Sequence, residues 1–350
     1  MKKAVYRGIR DMEVVEGPIP SIGPYEVLLR VKYCSICGTD IRIYNHGHFK
    51  VPPGTERVLG HEVVGEIAEV GSEVTGLAPG MRVAVAPNIG CGQCEVCLRG
   101  WNQLCPDYQA FGISLDGGFQ EYMKITAPAV LRGNIVGIPD GVSFEEAVLV
   151  EPLSCVYNGV EAVDIRAADV VVVIGAGPIG LLHVQMAKLK GAAKVILSET
   201  VEERLQDGAR FGADVLVNPS KEDLKSVIFK ETGGKGADVV ITACSVPAVQ
   251  QQALELAGVF GRINLFGGLP RGQETVPLNT NLIHYKQLQV TATTGSNYYQ
   301  FRRSMDLIAA GRVEVKSLIE GIYRLESIKD AFERVAGQAS NRKVVIGFDW

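Results

Sequence analysis

The stretch from Val170 to Gly180 constrains this chain more than any other. Val170-Val171-Val172-Val173-Ile174 is apolar without polar alternation, which predicts a strand buried on both faces, as in a parallel sheet. Gly175-Ala176-Gly177-Pro178-Ile179-Gly180 follows at once and opens a helix. A GxGxxG run in that context is a dinucleotide-binding turn. The first glycine permits the tight turn, the second lets backbone approach a pyrophosphate, and the third lets helix and strand pack closely. The amides at the helix start then face the phosphate charge. Glu199 ends the next apolar run, 24 residues after Gly175. A carboxylate there accepts both adenosine ribose hydroxyls and repels a 2′-phosphate, which selects NAD over NADP. Arg204, on the following helix, is a candidate for the adenosine end, against an ordinary role as an exposed helix residue.

From Asp169 onward strands and helices alternate. Strands are expected at Val170–Ile174, Lys194–Ser198, Asp214–Val217, Val239–Thr242 and Arg262–Phe266, with helices at Ile179–Lys190 and Glu202–Phe211. This is the rhythm of a parallel sheet covered by helices, hence an α/β fold. The first 150 residues read differently. Glu26–Lys32, Val63–Val70, Arg82–Ala86 and Phe119–Lys124 are β-like, punctuated by Gly17-Pro18, Gly23-Pro24 and Pro79-Gly80, so a mostly antiparallel β domain is expected. Ser143 caps a helix Phe144–Leu149, with Glu146 at the capping-box position. The C-terminal stretch predicts helices Tyr299–Ala310 and Ile328–Val335 and a last strand, Lys343–Phe348.

Two constellations carry metal chemistry. Four of the eight cysteines form Cys91-x2-Cys94-x2-Cys97-x7-Cys105, in a lobe at about 90–106 with little apolar content. In a long chain without an export signal, a disulfide framework is the poorer account. Four thiolates at this spacing make a closed tetrahedral zinc site with a structural role; an iron–sulfur cluster or unliganded thiols are the alternatives. Cys37-Gly38-Thr39-Asp40 and, after a polar loop, Gly60-His61-Glu62 offer a thiol, an imidazole and a carboxylate. Three such ligands leave a fourth position open for chemistry. The ordinary reading makes Cys37 a small core residue and His61-Glu62 the start of a strand. Cys34, three before Cys37, mimics a CxxC redox pair. With Cys155 and Cys244 it reads as buried filler among apolar neighbours.

The formal charge of −4 is spread over interspersed acids and bases, so neither nucleic acid nor a membrane surface is an expected partner. No apolar run approaches the roughly 18 residues of a membrane span, and the N-terminus is not a signal peptide. A cytoplasmic protein is expected.

Taken in order, Cys37–Asp40, Gly60–Glu62, the four-cysteine lobe, Glu151-Pro152-Leu153-Ser154, the glycine turn and Glu199 resemble the zinc-dependent medium-chain alcohol dehydrogenases. The likeness is nearest to the polyol (sorbitol or L-iditol) dehydrogenase branch, with the L-threonine 3-dehydrogenase branch near by. It implies a GroES-like catalytic domain of residues 1–150 and 296–350 and an inserted Rossmann domain of residues 151–295. It also implies a homodimer or homotetramer built through the Rossmann sheets, NAD, and one catalytic and one structural zinc. By this resemblance Cys37 and His61 are zinc ligands, Glu62 is a ligand carboxylate, and Glu151 ligates the zinc or hydrogen-bonds its water. Asp40 fixes the histidine tautomer, and Thr39 contacts the substrate oxygen and begins a proton relay. Phe266-Gly267-Gly268 and Thr294-Gly295-Ser296 lie near the nicotinamide. The expected reaction is oxidation of a secondary hydroxyl of a polyol to a ketone in an interdomain cleft. An amino alcohol such as L-threonine, or a non-catalytic NAD(H)-binding role, are the competing readings.

Two departures stand out. Where the family often has a histidine five residues after the catalytic cysteine, this chain has Arg42, which stays charged and cannot act as a base. The proton must then leave by water, the cofactor ribose or another group, with His46 and His48 in the next loop. The arginine of sorbitol-type enzymes in the nicotinamide-side stretch is also missing from Thr294-Gly295-Ser296, which leaves a vicinal-diol substrate open.

Overall fold

The computed structural model describes residues 1–52, 54–337 and 341–349. The chain divides into two compact units, Met1–Ser154 with Gly295–Gly311 and Val315–Trp350, and Cys155–Thr294 with Arg312–Glu314. It passes from the first to the second within one helix, Val150–Ala162.

In the first unit, among the described residues, the main sheet has seven strands. Their order is Ile319–Arg324, Lys343–Gly347, Val27–Ser35, Glu62–Val70, Arg82–Val85 and Ile135–Gly137, with Tyr122–Ile125 also paired to Val27–Ser35. The pairings are antiparallel except the first. That parallel pair needs a crossover, and the helix Ile328–Ala336 supplies it. Phe332 of this helix packs edge-on against Tyr44 and Phe119, with ring centroids 5.4 and 5.6 Å apart. Tyr44 and the buried Ile43 belong to a helix, Gly38–His46, where the sequence reads as a polar loop. Apart from the buried Asp40, its polar residues are exposed or half-buried, and burial of Ile43 and Tyr44, at about 1.5–3 kcal/mol each, overrides weak local propensity. His46 is the last residue of that helix rather than part of the loop that follows.

The second unit is a doubly wound sheet. Its strands are Val170–Ile174, Lys194–Ser198, Val215–Val217, Ala237–Thr242, Ala257–Leu265 and Gln289–Ala292, all in parallel pairs. Numbered along this unit, their order is 3-2-1-4-5-6, the dinucleotide-binding arrangement. The order reverses beside Val170–Ile174, which carries the glycine turn at its carboxyl end. The last strand was not anticipated, because Gln289-Val290-Thr291-Ala292 is too polar to stand out. Cys34 is buried as expected, whereas Cys155 and Cys244 are only half-buried. Cys244 lies just past the carboxyl end of Ala237–Thr242, where the sheet opens, and Cys155 is on a less covered face of its helix. Apolar sequence neighbours do not reveal either position. No described helix is long and apolar enough to cross a membrane.

Candidate functional site

Strand register assembles the first site. Ser35 pairs with Glu62 on one side and with Val345 on the other. The central strand thus brings the start of one neighbour, His61-Glu62, beside the start of the other, Lys343. The same strand runs on into Cys37, which caps the helix Gly38–His46. One donor atom from each of Cys37, His61 and Glu62 lies within 4.8 Å of the others. His61 is nearly buried and Glu62 fully so.

Asp40 locks this corner. Its Oδ2 accepts the Cys37 amide at 2.9 Å and its Oδ1 accepts the Gly60 amide at 3.2 Å. Its Oδ1 also lies 3.5 Å from His61 Nδ1, which is buried without a hydrogen-bond partner. Burial works against a charged imidazole, but the charges of Asp40 and Cys37 outweigh it and hold the His61 pKa well above its ordinary value. Burial pushes the Glu62 carboxyl up to about 7, against the pull of Lys343 and with the push of Glu151. Lys343 Nζ sits 2.6 Å from a Glu62 oxygen and donates to the Ile36 carbonyl at 3.1 Å; Ser35 Oγ donates to the same carboxylate. Lys343 thus faces the charges of Glu62, Cys37 and Glu151, while Asp40 backs His61 from the other side. A thiol, an imidazole and a carboxylate meeting in this excess of negative charge fit a divalent cation of zinc's ligand preference.

Glu151, in the first turn of Val150–Ala162, is buried but stands outside the group of three donors. Thr39 lies half-buried in the first turn of its helix, next to Asp40. Arg42 is exposed one turn on, and His48 accepts the Lys50 amide at its Nδ1, 3.1 Å away. Lys343 and Ser35 were missed in the sequence. The one available signal was a lone lysine opening the apolar strand Lys343–Gly347.

The four cysteines Cys91, Cys94, Cys97 and Cys105 bring their sulfurs within 4.8 Å of one another. Cys94 caps the short helix Glu95–Leu98. Amides of Cys91, Cys94 and Cys97 donate to the sulfurs of Cys105, Cys91 and Cys94 at 3.2–3.4 Å. Such bonds favour thiolates, and those from Gln93 and Cys94 draw the Cys91 thiol down to about 6. Leu98, Trp101 and Leu104 stay exposed, so the lobe has no apolar core to order it. A bound ion suits that geometry and that deficit.

In the second unit Gly175 has φ +108°, a conformation that favours glycine. A Cβ on Gly180 would lie 1.8 Å from the Gly175 carbonyl oxygen, whereas one on Gly177 would meet nothing within 4 Å. The third glycine is thus required for closeness, and the second leaves its approach open. Pro178 begins the helix Pro178–Leu189, followed by Ile179. Glu199 Oε2 accepts the Ala176 amide at 2.9 Å, and its Oε1 accepts the Thr200 and Val201 amides at 2.8 and 3.0 Å. The carboxylate is therefore fixed beside the glycine turn. Arg204 is half-buried on the next helix. Phe266 is half-buried; Gly267 donates its amide to Thr242, and a Cβ there would lie 2.1 Å from the Cys244 carbonyl oxygen. Gly268 is exposed. Thr294 is exposed at the end of this unit, whereas Gly295 and Ser296 belong to the first. Ser296 is buried, its hydroxyl 2.6 Å from that of Ser154, and its carbonyl accepts Asn88 Nδ2 at 3.0 Å.

Comparison with known proteins agrees with this geometry. Residues 23–140 match the alcohol dehydrogenase GroES-like domain, and residues 178–310 match the zinc-binding dehydrogenase family. A sorbitol dehydrogenase of Bacillus subtilis is 34% identical over 337 residues, covering 95% of this chain and 93% of its own. An L-threonine 3-dehydrogenase of Pyrococcus furiosus is 36% identical over 327 residues, covering 92% and 91%. The structure of a zinc-binding dehydrogenase of Sinorhizobium meliloti bound to NADP aligns with a TM-score of 0.91 at 34% identity, over 99% of both chains.

Proposed function

The chain belongs to the zinc-dependent medium-chain alcohol dehydrogenase family, and on that premise we propose that it oxidises a secondary hydroxyl of a polyol or sugar alcohol to a ketone, reversibly, with NAD as hydride acceptor. It is an oxidoreductase whose cofactors are zinc and a nicotinamide dinucleotide. The observation that carries the reading is the meeting of donor atoms of Cys37, His61 and Glu62 within 4.8 Å.

In this reading Cys37, His61 and Glu62 hold the catalytic zinc, and Cys91, Cys94, Cys97 and Cys105 hold the structural one. Bound there, zinc supplies Lewis-acid activation of a hydroxyl near neutral pH. Asp40 holds the His61 ring and the Cys37 backbone in place, so neither ligand must reorganise. Lys343 offsets the buried charge of Glu62, and Glu151 adds a second carboxylate close by. Thr39 accepts the substrate's hydroxyl proton and hands it outward. A bound nicotinamide would supply hydride acceptance from the carbinol carbon, and Phe266–Gly268 and Thr294–Ser296 are the backbone stretches that would lie beside its ring. Gly175, Gly177, Pro178, Ile179 and Gly180 cradle the pyrophosphate. Glu199 takes the adenosine ribose hydroxyls and disfavours a 2′-phosphate, and Arg204 borders the adenosine. Arg42 cannot end the relay as a base, so the proton leaves through water or the ribose. A homodimer or homotetramer is part of the reading.

The Pyrococcus furiosus relative, at 36% identity, supports a second reading, oxidation of an amino alcohol such as L-threonine. The test is NADH formation over alditols, inositols, vicinal diols and L-threonine, with NAD and NADP in parallel. Turnover of the polyols with NAD is expected. Exclusive turnover of L-threonine selects the second reading, and a preference for NADP removes the role given to Glu199.

A further inference from the structure

Arg42 stands three residues after Thr39 on the helix that Cys37 caps. Five residues at 1.5 Å each place it about 7.5 Å along the axis from Cys37. It is exposed, and among the described residues it has no hydrogen-bond or ion-pair partner. The loop after the helix adds further positive charge. Lys50 donates its backbone amide to His48. The Lys50 ammonium donates to the Tyr108 carbonyl and lies 4.3 Å from the centre of the Tyr108 ring. Burial lowers the pKa of His48, and the charges of Lys50 and Arg42 lower it further, so the three groups share one neighbourhood.

Among the described residues, neither Arg42 nor Lys50 is paired with a carboxylate. Asp40 is committed to the Cys37 and Gly60 amides and faces His61. Glu56 pairs with Arg7, and Asp116 with Arg57. Lys50 is satisfied by a carbonyl and an aromatic face, neither of which cancels its charge. A guanidinium without a carboxylate partner leaves local positive potential, which favours a bound anion. A guanidinium with an unused fork suits a carboxylate or phosphate, which it can grip through two parallel hydrogen bonds.

We propose that the alcohol oxidised at this site carries an anionic oxygen group, a carboxylate or a phosphate, a few carbons from the reacting carbinol, and that Arg42 binds this group, with the Lys50 ammonium as the second cation of the neighbourhood. The proposal rests on the dehydrogenase reading of the Cys37–His61–Glu62 site and narrows its substrate class to sugar acids or polyol phosphates. Arg42 then has a use in the position that a relay base would otherwise occupy.

The experiment compares matched pairs: alditols against the corresponding aldonates, and alditols against their monophosphates, each with NAD and the zinc-loaded enzyme. An anionic member of at least one pair is expected to exceed its neutral partner by about ten- to a hundredfold in kcat/KM, the range of one charge-assisted contact. The aldonate and phosphate arms identify which anion is read. In Arg42→Gln this preference collapses toward unity, mainly through KM, and Arg42→Lys restores part of it. NADH affinity, from fluorescence titration, is measured on the same variants. Equal use of neutral and anionic partners by the wild type overturns the proposal while leaving the dehydrogenase reading intact. So does a loss of NADH affinity in Arg42→Gln with substrate preference unchanged, because the anion is then the cofactor's pyrophosphate. Absence of NADH formation with every alcohol overturns both.

Discussion

His183 gives a pH test of the second unit that does not involve the metal sites. It lies in the helix Pro178–Leu189, wholly buried, with neither ring nitrogen hydrogen-bonded. Its ring packs edge-on against Phe266, with centroids 4.7 Å apart. Burial alone holds its pKa at about 3, against an ordinary 6.5. The folded pKa is therefore below the unfolded one, and the unfolded chain is the better proton acceptor. Above pH 6.5 both states are neutral at this position and no stability is lost. As the pH falls from 6.5 toward 3 the loss grows by about 1.4 kcal/mol per unit. At pH 5 it amounts to about 2 kcal/mol, or about 4–8 °C in Tm at 2–4 °C per kcal/mol. His183→Leu abolishes the titration and removes two buried polar atoms that lack partners, so at pH 7.5 the variant is expected to be at least as stable as the wild type. Thermal melts of both proteins at pH 7.5, 6 and 5 give the comparison. Other titrating groups, metal ligands included, are common to both and cancel in the difference. The gap in Tm should widen by about 4–8 °C between pH 7.5 and 5. A gap that stays constant across this range means that His183 is not held neutral by burial, and the reasoning is wrong.

Three further outcomes are expected. Gly180→Ala drives a methyl into the Gly175 carbonyl, so the strand–turn–helix must shift; NADH affinity should fall at least about tenfold with about 1–3 kcal/mol of stability, and unchanged fluorescence titration would contradict the close-packing argument. Cys37→Ser should retain NADH affinity and lose turnover, together with one zinc per chain by metal analysis; normal turnover would remove Cys37 from the ligand set. Cys105→Ser should release a different zinc and expose the segment from Gly90 to Pro106 to limited proteolysis, because Leu98, Trp101 and Leu104 form no core there; an uncut segment without metal would show that the lobe is ordered by packing.

The parts of the fold that were legible from the residues are those governed by local backbone chemistry. Val170–Ile174 and the glycine turn were readable because a buried parallel strand and a pyrophosphate turn each demand particular residues in sequence. The Ser143–Glu146 capping box appears as expected, with Ser143 Oγ accepting the Glu146 amide at 3.2 Å, although its helix stops at Ala147 and a longer one begins at Val150. That second helix carries Glu151, and its early Pro152 and its valines concealed it. The helix Gly38–His46 was hidden for the opposite reason. Its surface is polar, and Ile43 and Tyr44, with the half-buried Ile41, are the apolar side chains that commit it to the core.

By itself, the sequence determined the chemistry on offer: which donors could take a metal, which turn could take a dinucleotide, and which lobe needed an ion for want of apolar residues. These follow from residue type and short spacing. Tertiary structure alone decided which donors meet. Lys343 reaches Glu62 across 281 positions because two strands flank Val27–Ser35 in one register. A shift of one residue would turn each side chain to the opposite face. That register is set by burial of the whole sheet, and no local stretch of the chain contains it.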